Sequence, residues 1–180
     1  VQNGLPLGAN LTVEKDALLN VGLGGAIKLS AGGNIDLHGS LVALGGDVSL
    51  TLLGKRGVTG QPSSSNLEDY GYLSNQAITL HDGSRLDVSG AVKAIERPTA
   101  LSRLQGLPNP NVGEVLAGGT VTLGGVPGTS VRGQVRMHKE ATVRLNGAKG
   151  QLSLDGVGQA SSISAAAGTL NIASTDGDSL

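Results

Sequence analysis

ITLHDGSRLDVSG at residues 78–90 and VRMHKEATVRLNG at residues 135–147 align without a gap. Ile78, Leu80, Leu86 and Val88 fall on Val135, Met137, Val143 and Leu145, with His81 on His138 and Gly90 on Gly147. A third copy, IDLHGSLVALGG at 35–46, places Ile35, Leu37 and His38 on Ile78, Leu80 and His81; after one gap opposite Asp82, Val42 and Leu44 fall on Leu86 and Val88. The stretch 27–39, IKLSAGGNIDLHG, follows the same template, and 163–172, ISAAAGTLNI, follows it more loosely. Repetition at this short period is the signature of a stacked architecture.

Working outward from these copies, apolar residues at alternate positions make a strand with one buried face. Each strand has room for two inward side chains before a Gly, Asn or Asp turns the chain. Strand starts at Leu11, Leu19, Ile27, Ile35, Val42 and Val48 set a step of about 7.4 residues, or about 22 for a three-sided turn. The pattern predicts an all-β solenoid, a right-handed parallel β-helix of about six turns. The alternative, an antiparallel sandwich of hairpins, calls for turn signals such as Asn146-Gly147 between paired strands. Most turns here instead read GG, SAGG or HDGS and recur with the period. The alternation predicts that Ile35, Leu37, Ile78, Leu80, Leu86, Val88, Val143 and Leu145 are buried, and that Asp36, Thr79, Asp87 and Arg144 are exposed.

Composition supports stacking. Among 180 residues Phe, Trp and Cys are absent, Tyr70 and Tyr72 are the only aromatic residues, and Gly occupies 30 positions. A mixed-shape core normally uses aromatic side chains; a core of Leu, Val, Ile and Ala must be packed regularly, as repeats do. A net charge of -1 leaves no basic footprint for nucleic acid. No apolar run approaches the ~20 residues of a membrane span. The absence of Cys rules out disulfides and thiolate metal sites and is compatible with export. No signal peptide is visible and the pattern runs to both ends, so 1–180 reads as one β-helix segment of a longer chain.

Two stretches break the period. Residues 55–75 and 95–116 lack alternation, the second carrying Pro98, Pro108 and Pro110, and both read as insertions that leave the coil. The 19 residues between them are close to one turn, so both are expected at one corner, side by side. Pro98 at a first helical position, with Leu101, Leu104 and Gln105 at helical spacing, predicts one short helix whose leucines need cover. Insertions carry more varied chemistry than a monotonous coil face, which makes them the candidate binding surface. The first brings Lys55, Arg56, Tyr70 and Tyr72, and the second brings Arg97 and Arg103. The tyrosines either present a recognition surface or pin their loop to the coil.

Chemistry is sparse elsewhere. His38, His81 and His138 share the slot after the second inward residue and should point outward. Removing the first insertion leaves one turn between His38 and His81, so these two should stack about 4.7–4.9 Å apart. His138 does not fall at a whole number of turns, and no carboxylate is clearly placed to help. Structural zinc takes four ligands, so the three read as repeated surface histidines; no metal or other cofactor is expected. Coil enzymes acting on polysaccharides gather carboxylates on one outer face. The outward residues Asp36, Asp87, Thr79, Thr122 and Arg144 are scattered and mixed, so a non-enzyme is expected, with a polysaccharide-acting β-helix enzyme as the alternative.

GSRLDVSG (83–90), AGGTVTLGG (117–125), LSAGGNIDLHG (29–39) and GGDVSLTLLG (45–54) resemble the repetitive shaft of filamentous haemagglutinin-like exoproteins. These are the large adhesins and contact-dependent inhibition proteins that Gram-negative bacteria secrete by the two-partner route. The resemblance covers most of 27–175 outside the insertions and concerns the style of the repeat. It implies a right-handed β-helix, passage through an outer-membrane secretion partner, and a secreted or cell-surface location. It also implies a structural and adhesive role towards a host or bacterial surface protein or glycan, in adhesion, biofilm or a toxin stalk. Asn109-Pro110-Asn111 is similar to motifs of that family's secretion domain, but the flanking pattern is missing and the secretion role is not carried over.

Overall fold

A computed structural model of the chain describes residues 9–53, 76–106, 109–125, 133–153 and 159–173. Nearly all regular structure is strand. Twelve short strands form three four-stranded parallel sheets, and the chain visits the sheets in a fixed rotation. The first sheet contains β1 (Leu11–Val13), β4 (Ile35–Leu37), β7 (Ala77–Leu80) and β12 (Gln134–Met137). The second contains β2 (Leu18–Asn20), β5 (Ser40–Val42), β8 (Arg85–Asp87) and β13 (Thr142–Arg144). The third contains β3 (Ala26–Ala31), β6 (Asp47–Leu52), β11 (Thr120–Gly125) and β16 (Thr169–Ala173). The described residues make four rounds of three strands, where about six turns were expected; two antiparallel strand pairs take up part of the described length.

Register sets like on like. Leu11, Ile35, Ile78 and Val135 form one column, and Val13, Leu37, Leu80 and Met137 the next. Ile27, Val48, Val121 and Leu170 form another in the third sheet. The inward residues of all three sheets meet in one apolar core. Full burial of one such side chain is worth about 1.5–3 kcal/mol, so a shifted register would expose several at once.

Six of the eight predicted core residues, Ile35, Leu37, Ile78, Leu80, Leu86 and Val88, are buried. Val143 and Leu145 are half-buried, because β13 is the outermost strand of its sheet. The expected pairing of Val42 and Leu44 with Leu86 and Val88 is off by one. Leu41 pairs with Leu86, and Leu41 and Ala43 are the buried residues. The corner after Leu37 is two residues shorter than the corner after Leu80, and an even difference keeps each side chain on its face while a single gap reverses it.

Two outward residues expected in solvent are covered. Thr79 is 8% exposed and Asp87 is 3% exposed. Thr79 lies mid-sheet between Asp36 and Arg136 of the adjoining strands. Asp87 is clasped by the Arg85 guanidinium and by the Ser89 amide, 3.0 Å away. An outward position flanked by long side chains is not a wet one.

Corners repeat as strictly as strands. Gly25, Gly46, Gly119 and Gly168 occupy one column at the passage from the second sheet to the third. A methyl group at Gly46, Gly119 or Gly168 would strike the carbonyl oxygen of the glycine one round earlier. Elsewhere a side chain joins the rounds. Asn10 Oδ1 accepts the Asn34 amide at 2.8 Å, and Asn34 Oδ1 accepts the Ala77 amide at 3.0 Å. Asp47 accepts from Thr120 and Asp82 from Glu140 in the same way, at 3.0 and 3.1 Å.

Candidate binding surface

Between β8 and β11 the chain leaves the sheets as an antiparallel hairpin of β9 (Ala91–Glu96) and β10 (Asn111–Leu116). It contains the stretch expected as the second insertion and begins at Ala91, earlier than the loss of alternation suggested. Between β13 and β16 a second antiparallel hairpin pairs β14 (Lys149–Ser153) with β15 (Ala160–Ser164). Both occupy the same corner on consecutive rounds, and they pack together. Gly150 of β14 sits against the Val92 and Val115 side chains, with an added Cβ falling 2.9 Å from Val92 Cγ2.

The expectation that 55–75 and 95–116 leave from one corner is corrected by the strands that flank them; residues 54–75 themselves lie outside the described residues. β6 and β7 flank the first insertion at the passage from the third sheet to the first, whereas β9–β10 leaves between the second and third. The 19-residue interval spans two of three sides plus the first strand of the hairpin, so its length imitates a full turn. The 22-residue turn itself stands: the step is 22 residues from Leu19 to Leu41 and 21 from Ile27 to Val48.

The distal end of the first hairpin is well tied. α1 (Ala100–Gln105) starts from Thr99, whose side chain accepts the Ser102 amide while the Ser102 hydroxyl accepts the Thr99 amide, both at 3.0 Å. Pro98 therefore precedes the cap and does not occupy the first helical position. Ser102 Oγ also lies 2.9 Å from Asn109 Oδ1, and Arg97 donates its amide to Pro110 O at 2.9 Å. Gly106 ends the helix at φ 64°, a left-handed conformation that favours glycine.

This frame holds varied chemistry in solvent. Ile95 is 66% exposed and Leu104 is 83% exposed, so Leu104 lacks the cover expected for it. Glu96, Arg97 and Arg103 are exposed beside them, and Lys93 Nζ stands 3.5 Å from Glu114 Oε1 across the hairpin. The predicted site residues Arg97 and Arg103 thus share one projecting element. Lys55, Arg56, Tyr70 and Tyr72 lie outside the described residues. The hairpin β14–β15 was missed: 163–172 was read as one repeat, but Ile163 belongs to β15 and only Leu170 and Ile172 belong to the third sheet. The signal was Asp155-Gly156, a turn dipeptide between two short alternating runs.

A second cluster lies on the first sheet. The His38 and His81 rings stack at 3.9 Å with planes 10° apart, and His138 joins them at 4.9 Å and 52°. His138 was not expected in the stack. Its slot is restored because both β9–β10 and the segment 126–132 intervene, and neither shifts the register of β7 with β12. Carboxylates are also closer than expected. His81 Nε2 lies 3.2 Å from Asp36 Oδ1, its diagonal neighbour on the adjoining strand, and His138 Nδ1 lies 3.8 Å from Asp82 Oδ2. The rings lie over one another instead of converging on a point, and among the described residues no three His, Asp or Glu side chains are grouped to hold a metal ion. Acid groups are divided among the sheets, with Asp36 on the first, Asp87 on the second and Asp47 on the third.

Burial alone would raise the Asp87 carboxyl. The hydrogen bonds from Arg85 and from the Ser89 hydroxyl and amide, with the Arg85 charge, outweigh it and hold Asp87 below the usual carboxylate range. Among the described residues no helix is long and apolar enough to cross a membrane. Comparison with protein-family models, curated proteins and solved structures finds no match to the chain.

Proposed function

We propose that the three parallel sheets close into one right-handed β-helix. On this reading the coil is a structural and adhesive shaft segment of a large secreted bacterial surface protein, carried out through an outer-membrane partner. The constant rotation among sheets and the single shared core support the coil. The repeat phrases quoted above support its likeness to filamentous haemagglutinin-like exoproteins. One observation carries the adhesive part: two hairpins on consecutive rounds brace each other outside the core and hold exposed Ile95, Leu104, Arg97 and Arg103 on a tied framework. Exposed apolar side chains rimmed by charge suit a protein or glycan on a host or bacterial surface.

The test replaces 92–115 with a short Gly-Ser link, leaving β8 and β11 in place. Lost binding to cells or matrix with an unchanged melting temperature is the expected result. Retained binding with a large fall in melting temperature would make the hairpin structural cover and end the adhesive reading.

A further inference from the structure

Asn146-Gly147 has the form of a hairpin turn signal, yet it stands in no hairpin turn: it follows β13 at the corner from which β14 leaves the sheets. The preceding round fills the slot differently, since Val88 on Leu145 and Gly90 on Gly147 put Ser89 opposite Asn146. Asparagine is among the chemically labile residues. It is most so before glycine, which has no Cβ to hinder its own nitrogen from attacking the asparagine side chain.

The corner leaves that attack open. Asn146 and Gly147 are both exposed. The carbonyls of this stretch are engaged: Leu145 accepts the Gly168 amide at 2.7 Å, Asn146 accepts the Gly90 amide at 2.7 Å and Ala148 accepts the Ala165 amide at 2.8 Å. The Gly147 amide, in contrast, donates to no partner among the described residues, and the Asn146 side chain has none there either. Asn10 and Asn34 differ on both counts, since their side chains bind the next round and a leucine or isoleucine follows each. Asn3-Gly4, the other pair of this kind, lies outside the described residues.

We propose that Asn146 is a self-modification site, its side-chain amide passing without an enzyme to aspartyl and isoaspartyl forms. The Gly147 nitrogen gives its proton to solvent and bonds to Asn146 Cγ. The bond from Cγ to Nδ2 breaks, and Nδ2 takes up a proton and leaves as ammonia. Water then opens the cyclic imide. Opening at Cγ gives an aspartyl residue with the main chain as before; opening at the main-chain carbonyl carbon gives an isoaspartyl residue, with the chain rerouted through Cγ. Nothing is oxidised or reduced, and the sum is amide plus water giving acid plus ammonia.

The isoaspartyl form does not fit the corner. Its main chain is longer by a methylene, while Gly147 already lies so close to the next passage that a methyl group on it would strike the Ala165 carbonyl oxygen. The carbonyl that accepts the Gly90 amide becomes a free carboxylate outside the main chain that positioned it. The change falls at the root of β14–β15 and loosens the hairpin that braces β9–β10. It is irreversible, so it records the age of the molecule, and it is independent of the adhesive role.

The test incubates the folded 180-residue chain in mildly alkaline buffer and follows every asparagine by peptide mass mapping with isoaspartyl-specific detection. Conversion at Asn146 is expected to be about tenfold or more faster than at Asn20, Asn34 and Asn171, each followed by a β-branched residue. Both products should form, at a rate that rises with pH. Asn146→Ser, which copies the preceding round, is expected to keep the fold and abolish the product, and it supplies the unaged reference for amide exchange. Aged wild type should exchange faster than this reference in 149–153 and 160–164, with β6 and β7 unchanged. An Asn146 that stays intact in the folded chain would overturn the proposal, and conversion of the same chain in urea would then show that the corner protects the pair. Aspartyl product without isoaspartyl would overturn the route through the Gly147 nitrogen. Isoaspartyl product with unchanged exchange in β14–β15 would overturn the loosening.

Discussion

At Gly119 the backbone runs so close to Gly46 of the preceding round that a methyl group has nowhere to go. The obstacle is backbone, held on both sides by sheet, and cannot rotate away as a side chain would. Gly119→Ala is therefore expected to cost at least about 2 kcal/mol, read as a lowered urea midpoint. Asp87 tests a different force. Its folded carboxyl titrates below the ordinary value near 3.9, so its contribution is full above that value and disappears as pH falls through the depressed one. Asp87→Asn should lower stability by about 1–3 kcal/mol near neutral pH, and the gap from wild type should close in urea titrations carried down towards pH 2. A gap that persists in acid would mean that packing, not charge, accounts for the loss.

Among elements, the strands were far easier to read from the sequence than the excursions between them. A strand announces itself through inward aliphatics at every second residue, and these are repeated once per round, so even 35–46 was placed on the right sheet despite a one-residue error in its gap. The hairpin β14–β15 has no second copy to align with, and its alternation resembles that of the parallel strands; direction of pairing, which separates the two, leaves little trace in a five-residue run. The candidate surface was half legible for the same reason. Arg97 and Arg103 were found because prolines interrupt the pattern around them, whereas their bracing by Val92, Val115 and Gly150 depends on which corner each excursion leaves. That bracing can be undone locally. Gly150→Leu should part the hairpins and speed amide exchange across 91–116 and 149–153, while the global unfolding midpoint moves by under about 0.5 kcal/mol. Equal acceleration in β6 and β11 would show that the hairpins and the sheets unfold as one unit.

At the scale of the whole molecule, stability should be graded along the stack, since each round is held by its neighbours and, among the described residues, the outermost rounds have one fewer. Leu50 and Ile172 stand in the same column and differ mainly in position, the first fully buried and the second at the edge. Leu50→Ala is expected to cost about 2–5 kcal/mol, and Ile172→Ala about 1 kcal/mol or less. Thermal denaturation of both variants in dilute solution checks the difference, and equal losses would argue that the last round is as well covered as the second.

The four corner bonds made by Asn10, Asn34, Asp47 and Asp82 share a direction: in each, the side-chain oxygen belongs to the earlier round and the amide to the later one. Through these four side chains a completed round offers ready acceptors to its successor, beside backbone bonds that run both ways. A chain that emerges amino end first, from a ribosome or a narrow pore, would always meet its template already built. Order of appearance and order of assembly then coincide, and the stack can grow like a rope being coiled on a deck, each loop laid on the one beneath.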